Sequence, residues 1–342
     1  MEKSVESCLL EMELGAGRSF ENMAVFELMK PTNGGPEYIT LKEAIEKGVF
    51  SVTEVSSGGS VPELKVENKG DVAVLLLDGE ELRGAKQNRI LNTTILVGPK
   101  SATKVPVSCV EHGRWSSVSK ELKESGNVMH REMRMLNVRQ VSESLRAERT
   151  FRSNQEEIWD KVAELACVMN APSATGAMKD VYEAKGGDLD GYLKSFELAG
   201  GQKGILVFVD GRPAGMDFVS RDTAFAVLFP KLIKSYAMEA MLLKERRKSG
   251  RGKGEAGKAL VKPTADEARE FMKRAAGCEE KKYESVGLGW SYRYAGAGIV
   301  GSALAFNDKV VHMAFFGVDE AGVVEDPGGM AGTGMRRDFR VL

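Results

Sequence analysis

Between residues 51 and 110 the chain repeats one pattern: a short run rich in Val, Ile, Leu and Thr, then turn residues. The runs are SVTEV, LKVEN, VAVLLLD, RILNTTILV and TKVPVSCV, with SSGGS, NKGD and GPKS as the clearest turn clusters between them. Five to nine residues suit a strand better than a helix, and β-branched side chains fit a pleated, half-buried surface. Short strands at this spacing predict an antiparallel sandwich-like or barrel-like sheet, since each must bury a face against another layer. With 42% hydrophobic residues the chain can build such a core, which excludes disorder throughout. Its 342 residues exceed what one core usually fills, so two domains are expected.

The pattern changes near Arg131. Arg131, Arg134, Arg139, Arg146, Arg149 and Arg152 crowd a stretch in which Val138, Val141 and Leu145 recur at helical spacing, which predicts a connecting helix with a basic face. Capping boxes at Thr40/Glu43, Ser153/Glu156 and Thr264/Glu267 each predict a helix start. Further helices are expected near 175–184 and 189–199, and one over Leu232, Ile233, Tyr236, Ala237 and Ala240. Asp210–Gly211 predicts a tight hairpin, and the chain closes with YESVGLGWSYRY, GIVGSALAF and KVVHMAFF as strands. The predicted class is α+β: an N-terminal antiparallel β-sandwich-like domain over 1–135, a connecting helix over 136–153, and a mixed α+β domain over 154–342. The last contains a C-terminal antiparallel sheet and a flexible basic loop at 246–258, where KERRKSGRGKGEAGK has no apolar pattern.

Several functions are excluded or disfavoured by the rare residues. Cys8, Cys109, Cys167 and Cys278 form no CxxC pair, and His112, His130 and His312 form no HxH or HExxH, so spacing indicates no metal site, while a metal held by acids and one distant His stays open. Lys and Arg number 48 against 49 Asp and Glu, so binding to nucleic acid by bulk charge is not expected, nor from the basic loop. No run approaches the roughly 20 apolar residues of a membrane span, and MEKSVESCLLEMELGAG has acids where a secretory signal is basic and then apolar. A cytoplasmic protein is expected. There is no Walker A, no G-x-S-x-G and no strand–GxGxxG–helix unit, which rejects a Rossmann assignment and leaves any cofactor open.

The densest polar signal lies between two apolar runs: Asp78-Gly-Glu80-Glu81-Leu-Arg83-Gly-Ala-Lys-Gln87-Asn88-Arg89. Strand alternation, apart from a shift at Gly84, places Glu81, Arg83, Gln87 and Arg89 on one face. Arg and Gln donate and Glu accepts, a set suited to a phosphorylated or polyhydroxylated ligand. A second cluster, Glu111, His112, Arg114 and Trp115, adds an acid, a guanidinium and a stacking surface. Charged groups beside core strands persist only if paired or kept wet in a pocket. The two clusters are therefore expected to share a cleft.

The run LLLDGEELRGAKQNRILNTTILVGPKSATKVPVSCVEHGRW resembles the ARG and rhodanese–phosphatase-superfamily-associated protein domain family. The resemblance rests on Gly79-Glu80-Glu81, Gly84-x-x-Gln87-Asn88-Arg89, Val107-x-Cys109-x-Glu111 and Arg114-Trp115, and continues weakly to GSALAFNDKVVHMAFF. This prokaryotic family is associated with ADP-ribosylglycohydrolase and rhodanese-like phosphatase domains. That context implies chemistry near ADP-ribose or a related nucleotide and assigns no catalytic residue.

Three readings follow from the side chains. In the first, a nucleotide- or sugar-derived, anionic small molecule binds Arg83, Gln87, Asn88, Arg89, Arg114 and Trp115, with Arg293 between two tyrosines and His312 as further contacts. In the second, the protein is a hydrolase of such a compound, with Glu80, Glu81 or Glu111 as acid or base and Asp217 as a further acid. In the third, the role is structural or partner-binding, with the arginine-rich segment 131–152 and the basic loop 246–258 as contact surfaces. The bland alternatives are buried ion pairs for the acids and a satisfied core histidine for His312.

Overall fold

A computed structural model describes residues 1–30, 35–56, 58–249 and 262–318. In chain order, α1 (Lys3–Leu10), β1 (Glu13–Phe20) and β2 (Met23–Met29) precede β3 (Tyr38–Thr40) and α2 (Leu41–Glu46). Then come β4 (Phe50–Glu54), β5 (Glu63–Asn68), β6 (Ala73–Leu76), β7 (Glu80–Gly84), β8 (Arg89–Leu91), β9 (Ile95–Val97), β10 (Ser101–Cys109) and β11 (Leu122–Val128). The middle is helical: α3 (Arg131–Glu148), α4 (Gln155–Val168), α5 (Met178–Ala184) and α6 (Gly186–Ser195). The hairpin β12 (Gln202–Val209) and β13 (Arg212–Val219) leads into α7 (Asp222–Lys248) and α8 (Ala265–Ala276). Last are β14 (Glu279–Glu284), β15 (Trp290–Gly296), β16 (Ile299–Phe306) and β17 (Lys309–Gly317). Helices and antiparallel sheets make an α+β fold, as the pattern predicts.

One large sheet runs β1-β2-β12-β13-β17-β16-β15-β14. Residues 13–29, expected in the N-terminal unit, therefore belong to the sheet of the C-terminal half, β2 pairing with β12 and β1 with β2. One face of this sheet packs on α1 and α8 through Val5, Leu9, Phe271 and Met272, and the other on α7 through Phe225, Leu232 and Tyr236. The β-rich part is a six-stranded sheet, β11-β7-β8-β10-β5-β4, with a three-stranded one, β3-β6-β9, in which β3 and β6 run parallel. Its interior is apolar, with Val52, Val66, Leu76, Leu82, Leu91 and Val105.

Local signals set many element ends. The capping boxes at Thr40/Glu43 and Thr264/Glu267 form, each with both reciprocal bonds. The box expected at Ser153 does not: Asn154 caps α4, accepting from the amides of Glu156 and Glu157, while the Ser153 hydroxyl meets Ser108. Asp210 and Gly211 both have positive φ, 52° and 73°, as a two-residue hairpin turn requires. Arg246, Arg247 and Lys248, expected in a loop, instead extend α7 because each has an acidic partner: Glu132 and Glu164, Asp210, and Glu245. Residues 250–258 of that expected loop lie outside the described residues.

The run RILNTTILV is not one strand. Asn92, Thr93 and Thr94 form a buried corner between β8 and β9, and each side chain engages a different element. Asn92 donates to the Phe151 carbonyl, Thr93 accepts from Arg293, and Thr94 donates to Asp78. Arg134 of α3 completes this junction: its Nη1 and Nη2 donate to the two Asp217 oxygens at 3.0 and 2.6 Å, and Nη2 lies 3.5 Å from Asp78 Oδ2. Burial opposes both charges, but their pairing holds the Asp217 carboxyl far below its usual range and Arg134 firmly protonated. Removing one partner leaves the other buried and unpaired. Arg134→Ala is expected to cost about 3–5 kcal/mol in urea unfolding, and Arg134→Ala with Asp217→Asn less than the two single losses combined. Additive losses below about 1 kcal/mol each would refute the ion pair as a staple.

Candidate functional site

The β7–β8 connection determines which polar residues meet. Gly84 has φ 125°, and a Cβ there would lie 2.5 Å from Ser119 Oγ and 2.8 Å from the Glu121 carbonyl. The chain reverses there, pairing Leu82 with Arg89 and Glu81 with Ile90. Directly opposed residues share a face, so Glu81 and Arg89 point to opposite sides. The expectation of one face fails because the turn, with left-handed Ala85 after Gly84, interrupts the alternation. Arg83 is exposed and joins neither group.

Gln87, Asn88, Arg89, Glu111, Arg114 and Trp115 do come together at the end of β8 and β10. Arg114 grips Glu111 with two bonds, Nε to Oε1 at 2.9 Å and Nη2 to Oε2 at 2.5 Å. Thr175 Oγ1 and the Asn88 amide donate to the same carboxylate at 2.9 and 3.0 Å. Burial works to raise the Glu111 pKa, but Arg114 and these donors hold it below the usual carboxylate range. Arg114 also donates to the carbonyls of Ala85 and Ser116. With its lone pairs engaged, Glu111 acts as an anchor for the loop.

Arg89 is different. It sits in the sheet between Leu82 and Cys109 and is wholly buried. Nη1 donates to Gln87 Oε1 at 3.0 Å, while Nε and Nη2 have no hydrogen-bond partner among the described residues. Glu111 belongs to Arg114, and Glu54 accepts from the Lys86 amide while its other oxygen stays unpartnered. Burial accordingly lowers the Arg89 pKa. Trp115, 49% exposed, covers this guanidinium at 5.7 Å from its ring centre, and Lys86 Nζ lies over the same ring at 5.3 Å.

Glu80 and Glu81 face α7 and β11. Glu80 accepts from the Leu77 amide and from Lys231 Nζ at 2.6 Å, and Lys231 also meets Glu124 at 2.7 Å. Glu81 is also wholly buried, but neither carboxylate oxygen makes a close hydrogen bond. Burial pushes its pKa up to about 7, only partly offset by the side chains of Ser125 and Asn127.

Arg293 and His312 lie elsewhere, in the junction between the sheets. Arg293 donates to Thr93 at 2.6 Å and packs over Phe151, and burial lowers its pKa to about 10. His312 Nδ1 meets Thr94 Oγ1 at 2.9 Å, and Nε2 lies 3.6 Å from Asp217. It is a core histidine among Asp78, Asp217 and Arg134. The missed members of that network had a readable signal: Arg134, Val138, Val141 and Leu145 form one stripe at spacings of four, three and four. An arginine on an apolar stripe needs a buried acid, and Asp217 stands in the apolar strand GMDFV.

The expected cleft is thus replaced by enclosed networks. A cavity of about 480 Å³ lies at a different place, beside α1, lined by Glu2, Lys3, Cys8, Lys30, Ser220 and Lys309. None of the expected site residues lines it. No helix among the described residues is long and apolar enough to cross a membrane.

No curated protein and no solved structure matches the chain. Residues 11–316 match the sequence model of the ARG and Rhodanese-Phosphatase-superfamily-associated Protein domain, which spans both sheet systems and the junction between them. The chain belongs to that family.

Proposed function

We propose that the protein binds an anionic small molecule, nucleotide- or sugar-derived, through Arg89 with Trp115 and Lys86. The observation that carries this reading is a buried guanidinium with two unused donor nitrogens and no acid of its own. Arg114 and Arg134 each have a carboxylate, and Arg293, which has none, is engaged by Thr93 and Phe151 inside the junction, whereas two nitrogens of Arg89 are left unused. A phosphate offers oxygens in the geometry a guanidinium matches. Half-exposed Trp115 is the movable part: displaced from Arg89, it opens the way and gives a flat surface for a base. The family's association makes ADP-ribose the first compound to test, with ADP and pyrophosphate to separate its parts.

A hydrolase is the second reading, and Glu81 favours it. A carboxyl with a pKa near 7 and no committed partner is suited to giving and taking a proton at neutral pH. Glu80 and Glu111, tied to Lys231 and Arg114, are less free.

Two measurements test these readings. ADP-ribose or pyrophosphate is expected to raise the melting temperature of the wild type by mass action. Arg89→Met should abolish that rise while melting no lower than the wild type, since it removes a buried charge with no carboxylate to strand. A variant that is several kcal/mol less stable, or that still responds to the anion, would defeat the site. For Glu81 the folded protein holds a proton that the unfolded chain releases near pH 4.5. Stability therefore falls as pH rises from about 4.5 to 7, by on the order of 3 kcal/mol. Glu239, also pushed up to about 7 by burial, adds to the same slope, and His130, lowered to about 4 by burial, works against it, so the test is the difference between variant and wild type. In urea unfolding at pH 5 and pH 8, Glu81→Gln should remove part of the difference; an unchanged slope means that Glu81 does not titrate there.

A further inference from the structure

A separate cluster joins α3 to α7. His130 stands immediately before α3, Glu132 is in its first turn, and Glu239 faces them from the middle of α7. One donor atom from each lies within 4.8 Å of the other two. Glu239 Oε2 accepts from the Glu132 amide at 3.1 Å and is 3.8 Å from His130 Nε2.

The second observation is the imidazole itself. His130 is 1% exposed, yet neither ring nitrogen has a hydrogen-bond partner among the described residues. Buried polar atoms of this kind are rare because each forgoes its bonds to water. His312, as deeply buried, has Thr94 on its Nδ1. The charges around the cluster point the same way. Lys161 and Arg246 each bridge Glu132 and Glu164. Arg131 turns its donors to the carbonyls of Ala214 and Gly317. Glu239 is left without a lysine or arginine ion-pair partner among the described residues. A buried carboxylate and a buried imidazole, aimed at each other and lacking a cation, are what a metal ion would complete.

We propose that His130, Glu132 and Glu239 bind one divalent ion of the zinc class, bridging α3 and α7. Imidazole nitrogen and carboxylate oxygen are both ligand types that zinc accepts, and three protein donors leave a fourth position for water. Bonds of about 2.0–2.2 Å put tetrahedral ligand atoms roughly 3.3–3.6 Å apart, so donors now within 4.8 Å of one another must close by about 1.5 Å at most. Side-chain rotation supplies that. Glu132 is the half-buried member and gives the ion its route from solvent, while Glu164 retains Lys161 and Arg246 when Glu132 turns to the ion. This site is independent of the anion reading at Arg89.

The chain has only three histidines, so their imidazole nitrogens can be followed in the intact wild type by long-range proton–nitrogen NMR. Zinc ion added to one equivalent is expected to shift one ring, assigned to His130 by its absence from His130→Gln, and leave His112 and His312 in place. Cobalt ion, as a coloured substitute, should give visible absorption saturating at one equivalent and lost in Glu239→Gln. If either variant fails to fold, Glu132→Gln at the half-buried position is expected to lose the absorption instead. No shift at any histidine, or cobalt absorption that survives all folded variants, would overturn the proposal.

Discussion

A guanidinium shared between two carboxylates in a fully buried junction fixes the placement of the remaining parts. Arg134 comes from α3, Asp217 from the large sheet and Asp78 from the turn that opens β7. Three separate pieces of chain are thereby held to one point. His312 and Tyr236 extend the constraint, lying beside and donating to Asp217 respectively, so β17 and α7 are tied to the same acid. Desolvation makes each of these charges costly alone, so the junction is stable only when all its members are in place. That coupling explains why a helix rich in arginine sits between two sheets.

From the Asp78 turn the chain enters β7, reverses at Gly84 and returns along β8 with Arg89. The acids along this path are almost all committed: Asp78 to Thr94 and Arg134, Glu80 to Lys231, and Glu111 to Arg114. Arg89 is the buried cation left over on one face, and Glu81 the buried acid left over on the other. They cannot neutralise each other through the sheet. This separation of an uncompensated cation from an uncompensated acid is the physical basis for both functional readings.

The β-rich architecture was legible because strand runs and turn clusters are local signals, and two capping boxes located their helices to the residue. The membership of 13–29 in the large sheet was not legible, since pairing with β12 is a contact between distant parts of the chain. RILNTTILV reads as one strand because Asn and two Thr fit a β run; only the partners Phe151, Arg293 and Asp78, brought from afar, make it a corner. The site was half legible. Residue types at 87–89 and 111–115 marked a group that does assemble, but alternation could not be carried through a left-handed turn. Arg293 and His312 were chemically suggestive, and the fold uses them in the junction. His130 gave no signal, because Glu239 lies more than a hundred residues away in sequence.

The central claim is that Arg89 is held without an acid so that an external anion can complete it. Nitrogen-detected or proton–nitrogen NMR of the arginine guanidinium groups tests this on the unmodified chain. Titration with ADP-ribose or pyrophosphate should move the Arg89 Nε resonance in a saturable way, while those of Arg134 and Arg114, each already held by a carboxylate, stay where they are. An Arg89 resonance indifferent to millimolar anion, with shifts confined to exposed arginines such as Arg83, would contradict it.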